Sequence, residues 1–156
     1  MPYQPFTDSE VELIFQMSEG RPVSGKVRSE GHSGGRHVSI TNSGLADRLR
    51  DHNRGGLAIY TAFLTFRDQI DAAVAFLNSP KTAVRLDRFS IDKKQGESCE
   101  IVEEIDLNAP FRMRYGIGDG AQIFPCNRFE MRLIKDHSRP RQMHIVTFFG
   151  KMGDLV

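Results

Sequence analysis

The chain has 156 residues with a net charge of +1, and 26% of its side chains are charged and 39% hydrophobic, the profile of one ordinary globular domain. No uninterrupted apolar run is long enough to span a membrane, and Met1 to Phe15 lacks the basic opening and small-residue cleavage site of a secretory leader. Two cysteines, Cys99 and Cys126, are too few for a disulfide framework, and neither stands at metal-ligand spacing from other donors, so neither a structural metal nor another cofactor is expected.

The near-neutral total hides an uneven distribution. Between Arg85 and Leu107 the acids Asp87, Asp92, Glu97, Glu100, Glu103, Glu104 and Asp106 outnumber the bases, whereas from Phe111 to Lys151 the bases Arg112, Arg114, Arg128, Arg132, Lys135, Arg139, Arg141 and Lys151 face only Asp119, Glu130 and Asp136. A general basic coat for nucleic acid is excluded, but a local basic groove is not. On charge alone, a solvated sheet surface is the simplest account of this pattern.

Thr7-Asp8-Ser9-Glu10 has the form of a capping box, with Thr7 and Glu10 satisfying exposed backbone donors, and Val11, Ile14 and Phe15 follow as an apolar stripe. Gly20 and Pro22 end that helix. Gly25, Gly31, Ser33, Gly34 and Gly35 then form a turn-rich connection around His32 and His37. A second helix is expected to start near Thr41 to Ser43 and to end at Gly55-Gly56, with Leu45 and Leu49 on one face and Arg48 and His52 beside them. For the third, Thr65 and Asp68 frame the start, Phe66, Ile70, Val74 and Leu77 share a face, and Asn78-Ser79-Pro80 closes it.

After Pro80 the period changes to two. Phe111 to Tyr115 and Phe129 to Leu133 alternate apolar and charged residues as half-buried strands do, and Ser138 to Arg141 reads as a hairpin turn. Strict alternation in the final strand, His144 to Phe149, places Ile145, Thr147 and Phe149 on one face and His144, Val146 and Phe148 on the other. Helices first and antiparallel strands later predict an α+β fold, with N-terminal helices packed on a C-terminal antiparallel sheet.

His37 directly follows the glycine-rich turn, where a partly exposed imidazole can titrate near neutrality and act as a general base. By position alone, a lone histidine is more often a plain surface residue. Arg48 offers a planar fork of donors suited to a phosphate, or equally an ion pair with Asp47 or Asp51. Thr147 places a hydroxyl in the otherwise apolar run Ile145 to Phe149, as either a hydrogen-bond donor to substrate or a β-favouring residue. Gly116-Ile117-Gly118 follows no parallel strand and opens no helix, so it reads as a turn and not as a dinucleotide fingerprint.

Three stretches together resemble one family. Glu30 to Val38, containing His32-Ser33-Gly34-Gly35-Arg36-His37, is followed at helical distance by Leu45-Ala46-Asp47-Arg48-Leu49. Ala62 to Phe66 leads into an alanine-rich helix, and Met143 to Phe149 closes the chain's last strand. This order is similar to that of the bacterial RNase A-like toxin domains found at the C-termini of contact-dependent growth inhibition proteins. The match runs from about Gly25 to Lys151 and is diffuse from Ser79 to Gln122.

The resemblance implies an RNase A-like fold, with residues 1–24 as a helical extension and residues 25–156 as one compact toxin domain. It implies His37, Arg48 and Thr147 as catalytic residues, with His32 in a supporting or substrate-contacting place. The family's tyrosine, two residues after that threonine, falls on Phe149 here. The expected activity is metal-independent endoribonuclease cleavage of RNA, tRNA among its candidate substrates. The expected setting is an effector delivered into the cytoplasm of a target cell and restrained in the producer by a cognate immunity protein. A catalytically silent relative that binds RNA or protein is the alternative, prompted by Phe149.

Overall fold

The computed structural model describes residues 4–19, 60–107, 111–117 and 120–151. In chain order the elements are α1 (Asp8–Ser18), β1 (Tyr60–Phe63), α2 (Phe66–Leu77), α3 (Pro80–Asp92), β2 (Ser98–Glu104), β3 (Phe111–Ile117), β4 (Gly120–Cys126), β5 (Arg128–Lys135), a 3-10 turn (Pro140–Gln142) and β6 (Met143–Gly150). The fold is α+β as expected, with the strands antiparallel throughout: one sheet has the order β1-β3-β4 and the other β2-β5-β6. The glycine-rich segment and the helix expected between Thr41 and Gly56 lie outside the described residues.

Local chemistry explains the helix starts. The Thr7 hydroxyl accepts from the Glu10 amide at 3.2 Å and the Thr65 hydroxyl from the Asp68 amide at 3.1 Å, each satisfying a donor that the first turn leaves open. Only half of the expected capping box at Thr7 forms. The Glu10 carboxylate instead takes the Arg141 guanidinium, from Nε at 2.8 Å and Nη2 at 2.9 Å, which ties α1 to the hairpin between β5 and β6. Arg141 also stacks over the Phe6 ring at 4.2 Å. These contacts hold it at a φ of 55°, a left-handed conformation that a residue with a Cβ adopts only at a cost in energy.

Two expectations for the helices are corrected. The stretch after Pro80 is the 13-residue helix α3, not the start of strand periodicity. Pro80 sits at its first turn, where the missing N–H costs nothing, and Thr82, Leu86 and Phe89 form its buried face. In α2 the buried residues are Gln69, Ile70, Ala72, Ala73, Phe76 and Leu77, while Phe66 lies at the margin with 39% exposure. The buried face thus runs through Ile70, Ala73, Phe76 and Leu77 and leaves Phe66 at its edge.

The core is aromatic at its centre. The Phe148 ring meets Phe129 at 5.5 Å, Phe63 at 5.6 Å, Phe76 at 5.4 Å and Phe15 at 6.2 Å between centroids. One β6 side chain thus joins α1, α2, β1 and β5. The outer edge of β6 is covered as well. The Ile145 amide donates to the Ser18 hydroxyl at 3.0 Å, and Gln69 Nε2 donates to the Phe148 carbonyl at 3.4 Å, so groups that an edge strand would present to solvent are used inside the molecule.

Cys126 is buried in this core, with its thiol donating to the Arg128 carbonyl at 3.1 Å. Burial pushes its pKa up to about 11. At about pH 8 its thiolate is therefore roughly a hundredfold scarcer than that of an unperturbed thiol, and alkylation by iodoacetamide should be correspondingly slow. Peptide mapping by mass spectrometry is expected to find Cys99 modified first. Equal rates at the two cysteines would contradict the burial of Cys126.

Candidate functional site

Strand pairing defines the site's platform. Phe129, Met131 and Leu133 of β5 point into the core, so Glu130 and Arg132 between them project from the opposite face of the sheet. On β6 the register runs Phe149 against Glu130 and Thr147 against Arg132, then slips so that Ile145 faces Leu133 and His144 faces Ile134. The slip leaves Val146 as an extra residue, a β-bulge.

The bulge corrects the expected face assignment. Ile145 and Phe148 both belong to the core, which strict alternation forbids, because the extra residue resets the phase between them. Thr147 and Phe149 do share a face, as expected, but with His144 and not with Ile145. That face also carries Glu130 and Arg132, which antiparallel pairing, not alternation along β6, places opposite Phe149 and Thr147.

Thr147 is 3% exposed, and its Oγ1 has no hydrogen-bond partner among the described residues. A buried hydroxyl left unpaired costs about 1–3 kcal/mol, and the buried Thr82 hydroxyl of α3 is in the same condition. Beside it, Glu130 is 2% exposed, and its carboxylate accepts from Arg132 Nε at 3.0 Å and from Lys151 Nζ at 3.2 Å. Glu100 of β2 approaches the same Arg132 Nε at 3.5 Å. Glu130, Arg132 and Lys151 were not singled out as candidates from the sequence. In the sequence they are ordinary members of an alternating strand and a basic tail, and only the pairing of β5 with β6 brings them to Thr147.

Of the five sequence candidates, the structure places Thr147 and Phe149 on one sheet face, with Phe149 half-buried opposite Glu130. His32, His37 and Arg48 lie outside the described residues. A surface groove of about 470 Å³, lined by Arg85, Arg88, Phe89 and Cys99 among others, contains none of the candidates. It lies on the helical side of the sheet, because Cys99 pairs with the core residue Leu133.

Comparison with known proteins bears on the fold. The chain is similar to a chain in the crystal structure of a CdiA-CT/CdiI complex from Y. kristensenii, with a TM-score of 0.56 and 15% sequence identity, over 74% of this chain and 95% of that one. The two share a fold. No family model matches the sequence, and no curated protein matches it. Among the described residues, no helix is long and apolar enough to cross a membrane.

Proposed function

We propose that the chain is a metal-independent ribonuclease toxin of the contact-dependent growth inhibition type. The observation that carries the reading is the buried, unpaired hydroxyl of Thr147 on the sheet face opposite the core, within a fold shared with a chain of a CdiA-CT/CdiI complex. The order of the motifs around His37, Arg48 and Thr147 in the sequence supports it.

In this reading His37 removes the proton of an RNA 2′-hydroxyl, the 2′-oxygen forms a bond to the adjacent phosphorus, and the bond from phosphorus to the 5′-oxygen breaks. Arg48 and Thr147 stabilise the charge that develops on the phosphoryl oxygens. The leaving oxygen takes its proton from His32 or from water, and the product carries a 2′,3′-cyclic phosphate. The toxin acts in the cytoplasm of a target cell, and a cognate immunity protein restrains it in the producer. Incubation of the purified protein with tRNA and with total RNA in EDTA tests the reading. Cleavage to cyclic phosphate ends is expected, whereas cleavage that stops on chelation and returns with magnesium would assign a different reaction.

Thr147→Val separates a catalytic hydroxyl from a structural one. The replacement keeps the shape and removes a group that has no partner, so stability should hold or rise, while the cleavage rate should fall about tenfold or more. Loss of stability with cleavage unchanged would take Thr147 out of the site.

Phe149 favours a second reading, a silent relative that binds RNA without cutting it, since a phenyl ring can neither donate a proton nor hydrogen-bond a phosphate. Phe149→Tyr decides between weakened and absent chemistry. A hydrogen bond to developing charge is worth roughly 1.5–3 kcal/mol, so restoring the phenol should raise the cleavage rate on the order of ten- to a hundredfold. An unchanged or slower rate in an active protein would mean that another group fills the phenol's place.

A further inference from the structure

We propose that Arg132, aimed by the buried carboxylate of Glu130, binds an RNA phosphate beside Thr147. The proposal deepens the ribonuclease reading and rests on it for the identity of the ligand. Arg132 stands directly across the strand pair from Thr147, which puts their Cβ atoms about 5 Å apart on one face. Its Nε is engaged by Glu130 at 3.0 Å and by Glu100 at 3.5 Å. Neither Nη group makes a hydrogen bond among the described residues, and the side chain is 54% exposed. One edge of the guanidinium is thus held while the other remains open to an acceptor.

The surrounding charges explain why direction matters more than net field here. Arg132 and Lys151 are balanced by Glu130 and Glu100, so the cluster attracts an anion chiefly through the fixed N–H donors of the exposed guanidinium. A phosphate presents paired oxygens that suit such a fork. Glu130 acts through Arg132 and is a positioning residue.

The test measures binding of a short fluorescein-labelled 2′-O-methyl oligonucleotide, which lacks the nucleophilic hydroxyl and stays intact, by anisotropy over a range of salt concentrations. Arg132→Gln should weaken binding about five- to tenfold and reduce the slope of log Kd against log salt by about 0.7, the share of one phosphate contact on a single strand. Arg132→Lys should restore the slope without the full affinity, because the charge returns but the fork does not. Glu130→Gln should weaken binding with the slope unreduced, since the cation remains and only its orientation is lost. Lys81→Gln, which removes one exposed charge at the start of α3, is the control and should change neither quantity.

Thermal melts identify any variant whose loss is one of folding, and Arg132→Lys then carries the comparison. Wild-type affinity and slope in Arg132→Gln, an equal loss in Lys81→Gln, or no binding by the wild type would each overturn the proposal. Failure of the ribonuclease reading looks different: the oligonucleotide binds through Arg132, but unmodified RNA is not cut.

Discussion

Replacing His37 with alanine is expected to abolish RNA cleavage while the protein melts at the temperature of the wild type. General-base catalysis contributes on the order of a hundred- to ten-thousandfold, and in the proposed reaction no other group takes the proton of the 2′-hydroxyl. The same loss is expected in the Phe149→Tyr background, because a restored phenol assists the phosphoryl charge or the leaving group and cannot replace the base. Gel analysis of tRNA and total RNA in EDTA checks this directly. Residual cleavage close to that of the wild type would remove His37 from the mechanism and move attention to His32. An unchanged melting temperature is part of the expected result, since it separates lost chemistry from lost fold.

Phe148→Ala should have the largest effect on stability. Its ring touches Phe15, Phe63, Phe76 and Phe129, so truncation opens a cavity where two helices and both sheets meet. Phenylalanine-to-alanine changes at buried sites cost about 3–5 kcal/mol, a large part of the roughly 5–15 kcal/mol that holds a typical domain together. The midpoint of thermal unfolding should fall on the order of 10 °C. Cleavage should fall with it, because Thr147 is the next residue on the same strand and depends on Phe148 for its depth. A loss below about 1 kcal/mol would show that the core repacks around the gap, and the account of Phe148 as the common anchor would fail.

Much of the local structure was legible in the sequence because its causes are local. The cap at Thr65, the start at Thr7 and the end of α2 before Pro80 depend on side chains within a few residues of the backbone groups they satisfy. The strands at Phe111 to Tyr115 and Phe129 to Leu133 were legible for the same reason, since period-two alternation records which side of a sheet is buried. The α+β class followed from the order of those signals. Helix α3 was missed because its apolar positions, Leu86 and Phe89, are sparse among charges. Thr82, Leu86 and Phe89 nevertheless stand at helical spacing on one buried face, a stripe that the sequence reading passed over because one of its three members is polar.

The candidate site divides along the same line. Thr147 and Phe149 were identifiable from sequence as neighbours on one face, since they stand at i and i+2 of one strand. Their company was not. The pairing of β5 with β6 brings Arg132 opposite Thr147 and Glu130 opposite Phe149, and the bulge at Val146 turns Ile145 into the core with Phe148. Sequence by itself determined the fold class, the types of α1, α2, β3, β5 and β6, and the residue types able to carry the chemistry, because hydrogen-bonding and burial preferences act over short spans of chain. The tertiary structure alone decided strand register, the phase of β6 and the ion pairs around Glu130, because each depends on contacts between segments whose relative placement no local pattern encodes.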